Sequence, residues 1–208
     1  MKKLTLILSL CFVHCVLCVD LMAQNNREAE RRVKEAIAEL KHSVYEGCFT
    51  LLVYNAQQEV EDKQSGNITL KGEKFRMTLG GNEVKYDGKT QWVFISEYNE
   101  VLITEPTAEE LREVNPLAMI EHYMATNRIS QGEKGVINFY PHTPKESEYF
   151  RVELYLSKYN LPTRLIVYQT NGNKVAIYLD ELKKVSVDNS YFIFDVAKYP
   201  NVDVNDLR

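Results

Sequence analysis

From Gly66 to Pro106 (GNITLKGEKFRMTLGGNEVKYDGKTQWVFISEYNEVLITEP) apolar and polar side chains alternate in short runs separated by glycine-containing turns. A period of two is that of a half-buried strand. Ile68 and Leu70, then Phe75, Met77 and Leu79, share one face, while Asn67, Lys71, Lys74, Arg76 and Thr78 share the other. Gly80-Gly81-Asn82 and Asp87-Gly88 supply residues that tolerate positive φ, as tight hairpin turns require. The segment therefore reads as an antiparallel meander with one dry face. Trp92, Phe94, Leu102 and Thr104 are expected to continue one face, and Val93, Ile95, Val101 and Ile103 make the other apolar too. The dry face is either a solid core or the wall of a cavity.

The same pattern places elements on both sides of the meander. From Asn25 to about Val44, Ala29, Val33, Ala36, Ile37, Leu40 and Val44 recur at spacings of three and four, the stripe of an amphipathic helix. Cys48 to Ala56 reads as a strand, followed by a polar turn through Glu61 to Ser65. Thr107 and Glu110 form a capping box, and Asn115-Pro116 restarts the helix with an asparagine cap and proline in the first turn. The piece after it, Leu117 to Met124, is almost wholly apolar and carries Met119 and Met124, whose unbranched thioethers repack around irregular partners. A polar loop from Thr126 to Lys134 precedes strands at Val136–Tyr140, Tyr149–Leu156, Thr163–Gln169, Val175–Val185 and Tyr191–Phe194, then a polar tail. One helix, about six strands, a broken helix and about five strands make a single α+β domain, mainly antiparallel β.

The amino terminus changes the compartment. Lys2 and Lys3 precede an apolar run from Leu4 to Leu17, and Asp20 to Gln24 follows. This is the layout of a secretory signal peptide over residues 1–23, cut after Ala23, leaving residues 24–208 as the domain. A membrane anchor would need ~20 apolar residues, more than this run provides. Cys11, Cys15 and Cys18 raise a lipid-modified cysteine as another outcome, but Leu10, His14 and Leu17 stand where lipoprotein processing sites want a small residue. Cleavage leaves Cys48 alone, so neither an intramolecular disulfide nor a cysteine-ligated metal site can form.

Composition narrows the function by exclusion. With 45% hydrophobic and 26% charged residues and a net charge of -4, the chain is globular and shows no basic patch with interleaved aromatics, so nucleic-acid binding is not expected. No GxSxG, HExxH, phosphate-binding glycine loop or calcium loop occurs. His42, His122 and His142 have no second histidine or cysteine at ligand spacing. Neither an enzyme nor a cofactor or metal is expected.

Five stretches in order resemble the LolA-type outer-membrane lipoprotein carriers: Gly66 to Phe75, Tyr86-Asp87-Gly88-Lys89-Thr90-Gln91-Trp92-Val93-Phe94, Asn99-Glu100-Val101, Asn115-Pro116, and Phe192-Ile193-Phe194 through Val202 to Asp206. The resemblance implies a strongly curved, incomplete β-barrel whose concave apolar face is covered by helices. It implies a periplasmic chaperone that holds the acyl chains of lipoproteins and ferries them from the inner to the outer membrane. An inner-membrane lipoprotein-releasing ABC transporter and, if present, an outer-membrane acceptor would be its partners, with the carrier itself a monomer. By face and position, Ile68, Leu70, Phe75, Met77, Trp92, Phe94, Leu102, Met119, Ile120 and Tyr123 are the candidate lining of cavity and lid, though each could equally be plain core. A sensing module of the same fold, binding lipid or lipoprotein without transport, is the alternative.

One departure stands out. The family commonly carries an arginine at the end of the strand matching Ile68-Thr69-Leu70, before a proline, and it latches the lid. Here the position reads Lys71-Gly72-Glu73, so that latch is expected to be missing, with Lys71 facing away from the apolar side and the lid held mainly by apolar contacts from Met119, Ile120 and Tyr123; if another residue fastens it, Arg76 is the nearest candidate.

Overall fold

The computed structural model describes residues 23–208. The expected signal peptide, apart from its last residue, lies outside them. An amphipathic helix, α1, spans residues 23–42 and buries Ala29, Val33, Ala36 and Leu40. Six antiparallel strands follow: β1 (Val44–Tyr54), β2 (Val60–Lys71), β3 (Lys74–Leu79), β4 (Asn82–Tyr86), β5 (Gln91–Ile95) and β6 (Glu100–Thr104). After them come helices α2 (Ala108–Val114) and α3 (Pro116–Thr126), then strands β7 (Asn127–Gln131), β8 (Ile137–Pro141), β9 (Tyr149–Leu156), β10 (Pro162–Gln169), β11 (Lys174–Val185) and β12 (Asp203–Asp206). All twelve form one open sheet in the order β12-β6-β5-β4-β3-β2-β1-β11-β10-β9-β8-β7. It curves without closing, since β7 and β12 lie at opposite edges. The expected incomplete barrel is the fold observed.

The turns form for local reasons. Asp87 accepts hydrogen bonds from the backbone N–H groups of Lys89 (2.9 Å) and Thr90 (2.8 Å), and Gly88 takes φ 101°. Thr107 and Glu110 make the capping box of α2, and Asn115 caps α3 by accepting from Leu117 N at 2.9 Å.

Four expectations are corrected. The stretch Glu61 to Ser65 is strand, with Glu61 at a bulge and Asp62 to Ser65 paired with Val53 to Thr50; the turn lies at residues 55–59, where Asn55 accepts from the N–H groups of Gln57 and Glu59. Part of the Thr126–Lys134 loop is strand β7, at the edge of the sheet and paired with β8. Tyr191–Phe194 is not a strand: Tyr191 and Phe192 complete a 3-10 turn, Asn189–Phe192, and Ile193 and Phe194 run on as irregular chain across the convex face of the meander. The polar tail in turn supplies β12, paired in parallel with β6.

Two apolar clusters occupy opposite faces. The larger fills the concave side and includes Val33, Leu40, Phe49, Ile68, Leu70, Phe75, Tyr86, Leu117, Ile120, Phe139 and Leu154. The smaller, on the convex side, joins Phe94, Val101 and Phe194, with Trp92, Tyr199 and Val202 packed against it. It pins the C-terminal segment under the meander. Beside it Glu83, almost fully buried, is ion-paired with Arg76 and accepts from Tyr199 Oη at 2.9 Å; Arg76 also donates to Tyr191 Oη at 2.6 Å. These paired charges satisfy one another where the segment excludes water.

Candidate functional site

The candidate site is the interior between the concave face and helices α1 and α3. Its near wall is the meander. Leu70 pairs with Phe75, and Ile68 with Met77, in the β2–β3 register, and Phe75 pairs onward with Tyr86 at a ring separation of 5.6 Å. Ile68, Leu70 and Phe75 are 0–2% exposed. The far wall comes from Ile137, Phe139, Val152, Leu154, Leu165 and Leu179. Across the top lies α3, which buries Leu117 and Ile120 and turns Met119, Tyr123 and Met124 against the same cluster. The Tyr123 ring stands edge-on to Tyr149 at 5.4 Å, and burial pushes its phenol up to about 12.

The interior is closed. Between α3 and strands β9 to β11, the crevice lined by Met119, Ile120, Leu154, Leu165, Ile177 and Leu179 leaves about 10 Å³. That is room for about one water and for no alkyl chain. Entry of a chain therefore requires α3 to move. Among the described residues three side-chain polar ties hold α3 and its caps to their surroundings: Asn115 Nδ2 donates to the Glu73 carbonyl at 3.0 Å, Lys41 Nζ of α1 meets Glu121 Oε1 at 2.5 Å, and at the far end the capping Asn127 Nδ2 donates to Tyr149 Oη at 2.9 Å. The rest of its hold is apolar and non-directional. Between α2, α3 and the base of β3 and β4 lies a mostly apolar depression of about 320 Å³ lined by Tyr86, Leu111, Arg112, Ala118 and His122 among others. Burial and the neighbouring Arg112 hold the His122 imidazole below its ordinary pKa.

Seven of the ten residues singled out from the sequence, Ile68, Leu70, Phe75, Met77, Met119, Ile120 and Tyr123, lie in or against this cluster. Leu102 shares their face through the pairs Leu102–Val93, Val93–Val84 and Val84–Met77. Trp92 and Phe94 do not. They pair with Ile103 and Val101 and belong to the convex cluster. Grouping Trp92, Phe94 and Leu102 on one face is therefore corrected: β5 and β6 are apolar on both faces, so alternation left their relative phase undetermined and a one-residue shift exchanged the sides.

The arginine latch is absent, and Arg76 does not take its place. Arg76 sits on the convex face against Glu83 and Tyr191 and cannot reach α3. Lys71 faces away from the interior, as expected, donating to the Val187 carbonyl (3.3 Å) and to Asn189 Oδ1 (3.0 Å). The tether runs instead from Asn115 to the backbone of the Lys71-Gly72-Glu73 turn.

Residues 19–157, more than half of the chain, match the family model described as outer membrane lipoprotein carrier protein LolA. The chain belongs to the LolA family. One solved structure with a TM-score above 0.5 shares the fold, and others are similar at lower scores. An uncharacterised conserved protein from Thermus thermophilus is 12% identical, with a TM-score of 0.55 over 86% of this chain and 98% of its own. A LolA superfamily protein from Nitrosomonas europaea is 11% identical (TM-score 0.49, 81% and 98% covered), and LprF from Mycobacterium bovis is 11% identical (TM-score 0.44, 78% and 95%). No curated protein matches the chain.

In this LolA-family chain the second half of the sheet supplies as much of the interior as the meander does, and none of its residues is among the ten singled out from the sequence. Val152, Leu154 and Leu156 alternate visibly within Tyr149–Leu156, so the signal was present. What was missing was the pairing of β1 with β11, which brings strands far apart in sequence to one concave surface.

Proposed function

We propose that this LolA-family chain is a periplasmic carrier that takes up acyl chains of lipoproteins between its concave face and α3 and ferries them from the inner to the outer membrane. The observation that carries the reading is the combination of a continuous apolar interior with a covering helix that, among the described residues, polar side chains tie down at three points, two of them its end caps. Ile68, Leu70, Phe75, Met77, Leu102, Met119, Ile120 and Tyr123 are the proposed contacts of the chain, and Trp92 and Phe94 are not among them. Each methylene buried is worth about 0.8 kcal/mol, so one long acyl chain offsets the loss of the α3 contacts it displaces. Displacing a mostly non-directional lid also keeps release possible.

An inner-membrane ABC transporter would load the carrier, an outer-membrane acceptor would unload it, and the carrier would act as a monomer. Native mass spectrometry of the protein recovered from the periplasm, followed by release of lipoprotein from inner-membrane vesicles, tests the reading. An acylated protein or peptide bound one to one, and soluble lipoprotein appearing only with the carrier present, are expected. Acyl binding without release would transfer the site to a lipid- or lipoprotein-sensing module, and absence of any acylated ligand would overturn both.

A further inference from the structure

The convex face of the second half of the sheet carries an arrangement that the carrier reading does not use. Along one row of cross-strand partners, Tyr54 of β1, Lys174 of β11, Tyr168 of β10 and Arg151 of β9 alternate aromatic and cation. A second row reads Tyr178, Arg164 and Tyr155 across β11, β10 and β9. Cations lie on the tyrosine rings: Lys174 over Tyr54 at 3.8 Å, Arg151 over Tyr168 at 4.3 Å, and Arg164 between Tyr178 and Tyr155 at 4.8 and 4.9 Å. Arg128 over Tyr140 extends the pattern to β7 and β8. Contacts of this kind occur roughly once per 70–80 residues. Five on one sheet face therefore mark a specialised surface.

Between the rows Ala176, Ile166 and Asn138 are buried beneath these long side chains, whereas the stacked tyrosines and cations themselves remain partly exposed. That middle row, which Leu52 of β1 also joins, has one acid, Glu153: it accepts from Tyr155 Oη (2.9 Å) and Tyr168 Oη (3.1 Å) and pairs with Arg151 at 3.2 Å. Its charge is thus spent locally. Among the described residues Arg128, Arg164 and Lys174 have no carboxylate partner, leaving a positive face on a chain whose net charge is -4.

We propose that this face docks a partner protein through a surface of aspartate and glutamate side chains. Stacking on tyrosine fixes the guanidinium planes of Arg164 and Arg128, neither of which has a carboxylate partner among the described residues, and a planar fork held in this way binds carboxylates in pairs. Tyrosine and arginine are also the residue types that dominate the centres of protein interfaces. A lipid surface fits less well, because membrane adhesion needs several apolar side chains projecting past the cations, and here Ala176 and Ile166 are buried and Leu52 half-buried, which leaves Phe150, half-exposed against Tyr168, beside four cations.

A benzophenone cross-linker at Thr50, which pairs with Tyr178 at the end of the second row, tests the proposal in cells on the full chain. The expected result is an adduct with a protein whose linked surface is acidic, reduced about tenfold or more by Arg164→Glu with Lys174→Glu and restored when the partner's facing carboxylates are changed to lysine. Arg164→Lys, which keeps charge and loses the fork, should weaken the adduct less. Both variants should bind an acyl probe as the parent does, which separates docking from folding and from the carrier reading. If the double variant fails to fold, the Arg164→Lys result decides. No protein adduct, an adduct unchanged by charge reversal, or binding to phosphatidylglycerol vesicles that depends on Arg164 and Lys174 would overturn the proposal.

Discussion

Asn115 joins two elements through one side chain: its oxygen accepts from Leu117 N at the start of α3, and its Nδ2 donates to the carbonyl of Glu73 in the β2–β3 turn, at 3.0 Å. The residue is 3% exposed. A helix cap and a tether of helix to sheet are thereby the same group, so the lid cannot swing without breaking a partly buried hydrogen bond. The turn that lacks the family's arginine supplies the acceptor for this substitute.

Asn115→Asp separates the two roles. The carboxylate still caps α3, where the helix dipole favours it, but offers the Glu73 carbonyl an oxygen in place of a donor. Helix content should be unchanged, stability should fall by about 1–3 kcal/mol, and an environment-sensitive apolar dye should enter faster in stopped-flow measurements. Asn115→Ala should lower stability further, because the cap is lost too. An unchanged rate of dye entry in Asn115→Asp would show that Asn115 does not gate the interior.

A second joint links the end of α1 to the start of β1. Tyr45 Oη donates to Glu39 Oε1 at 2.7 Å, and hydrogen bonds from Tyr45, Ser43 and Lys184 hold the Glu39 carboxyl down to about 2, while burial, then Glu39, pushes the Tyr45 phenol up to about 12. Because the Glu39 pKa is depressed, its contribution is present above the ordinary value of 4.5 and is lost as pH falls towards 2; because that of Tyr45 is raised, its contribution is present below 10.0 and is lost as pH rises towards 12. Tyr45→Phe should cost about 1 kcal/mol near neutrality, since Glu39 is partly exposed and screened. Urea titrations at several pH values should show that difference shrinking at both extremes. A constant difference across the range would remove the pair from the account.

The meander, the capping box, the asparagine cap and the order of elements were legible because each is decided by neighbours in sequence: Asp87 bonds to residues two and three ahead, and Thr107 to one three ahead. Where a long-range partner decides, reading failed. Glu61 to Ser65 looked like a turn because nothing local shows that Val53 to Thr50 will pair with it. Trp92 and Phe94 looked like cavity wall because their destination, Phe194 and Tyr199, lies about a hundred residues away. The lid tether was invisible for the same reason, since one of its two groups is a backbone carbonyl.

Gly72 takes φ +59° in the β2–β3 turn, and its N–H bonds to the Leu40 carbonyl at 3.1 Å. A side chain there would start towards the Lys41 carbonyl, 3.5 Å from an added Cβ, in ordinary contact. Space is adequate and the backbone conformation is not. Gly72→Arg should therefore lower stability by about 1–2 kcal/mol in urea titration, with Gly72→Asn costing less. An arginine at 72 starts towards the end of α1, so it should not slow dye entry as an arginine latch would; clear slowing would show that it reaches α3 after all.

Trp92 is the single tryptophan of the chain and reports on which face of the sheet a ligand occupies. It packs against Phe94, which stacks on Phe194 at 5.6 Å and meets Tyr199 at 4.6 Å, while Phe194 and Tyr199 lie 4.3 Å apart. This cluster sits on the convex side, with the sheet between it and Phe75, Leu70 and Ile120. Uptake of an acyl chain on the concave side should thus leave the Trp92 emission maximum almost unmoved. Phe194→Ala removes the stacked partner and admits water beside the indole, at a cost of about 3–5 kcal/mol, and should shift the emission to the red without ligand. The two measurements together assign the site. A large ligand-induced shift in the parent, lost in Phe194→Ala, would place the bound chain under the C-terminal segment and refute the concave interior as its location.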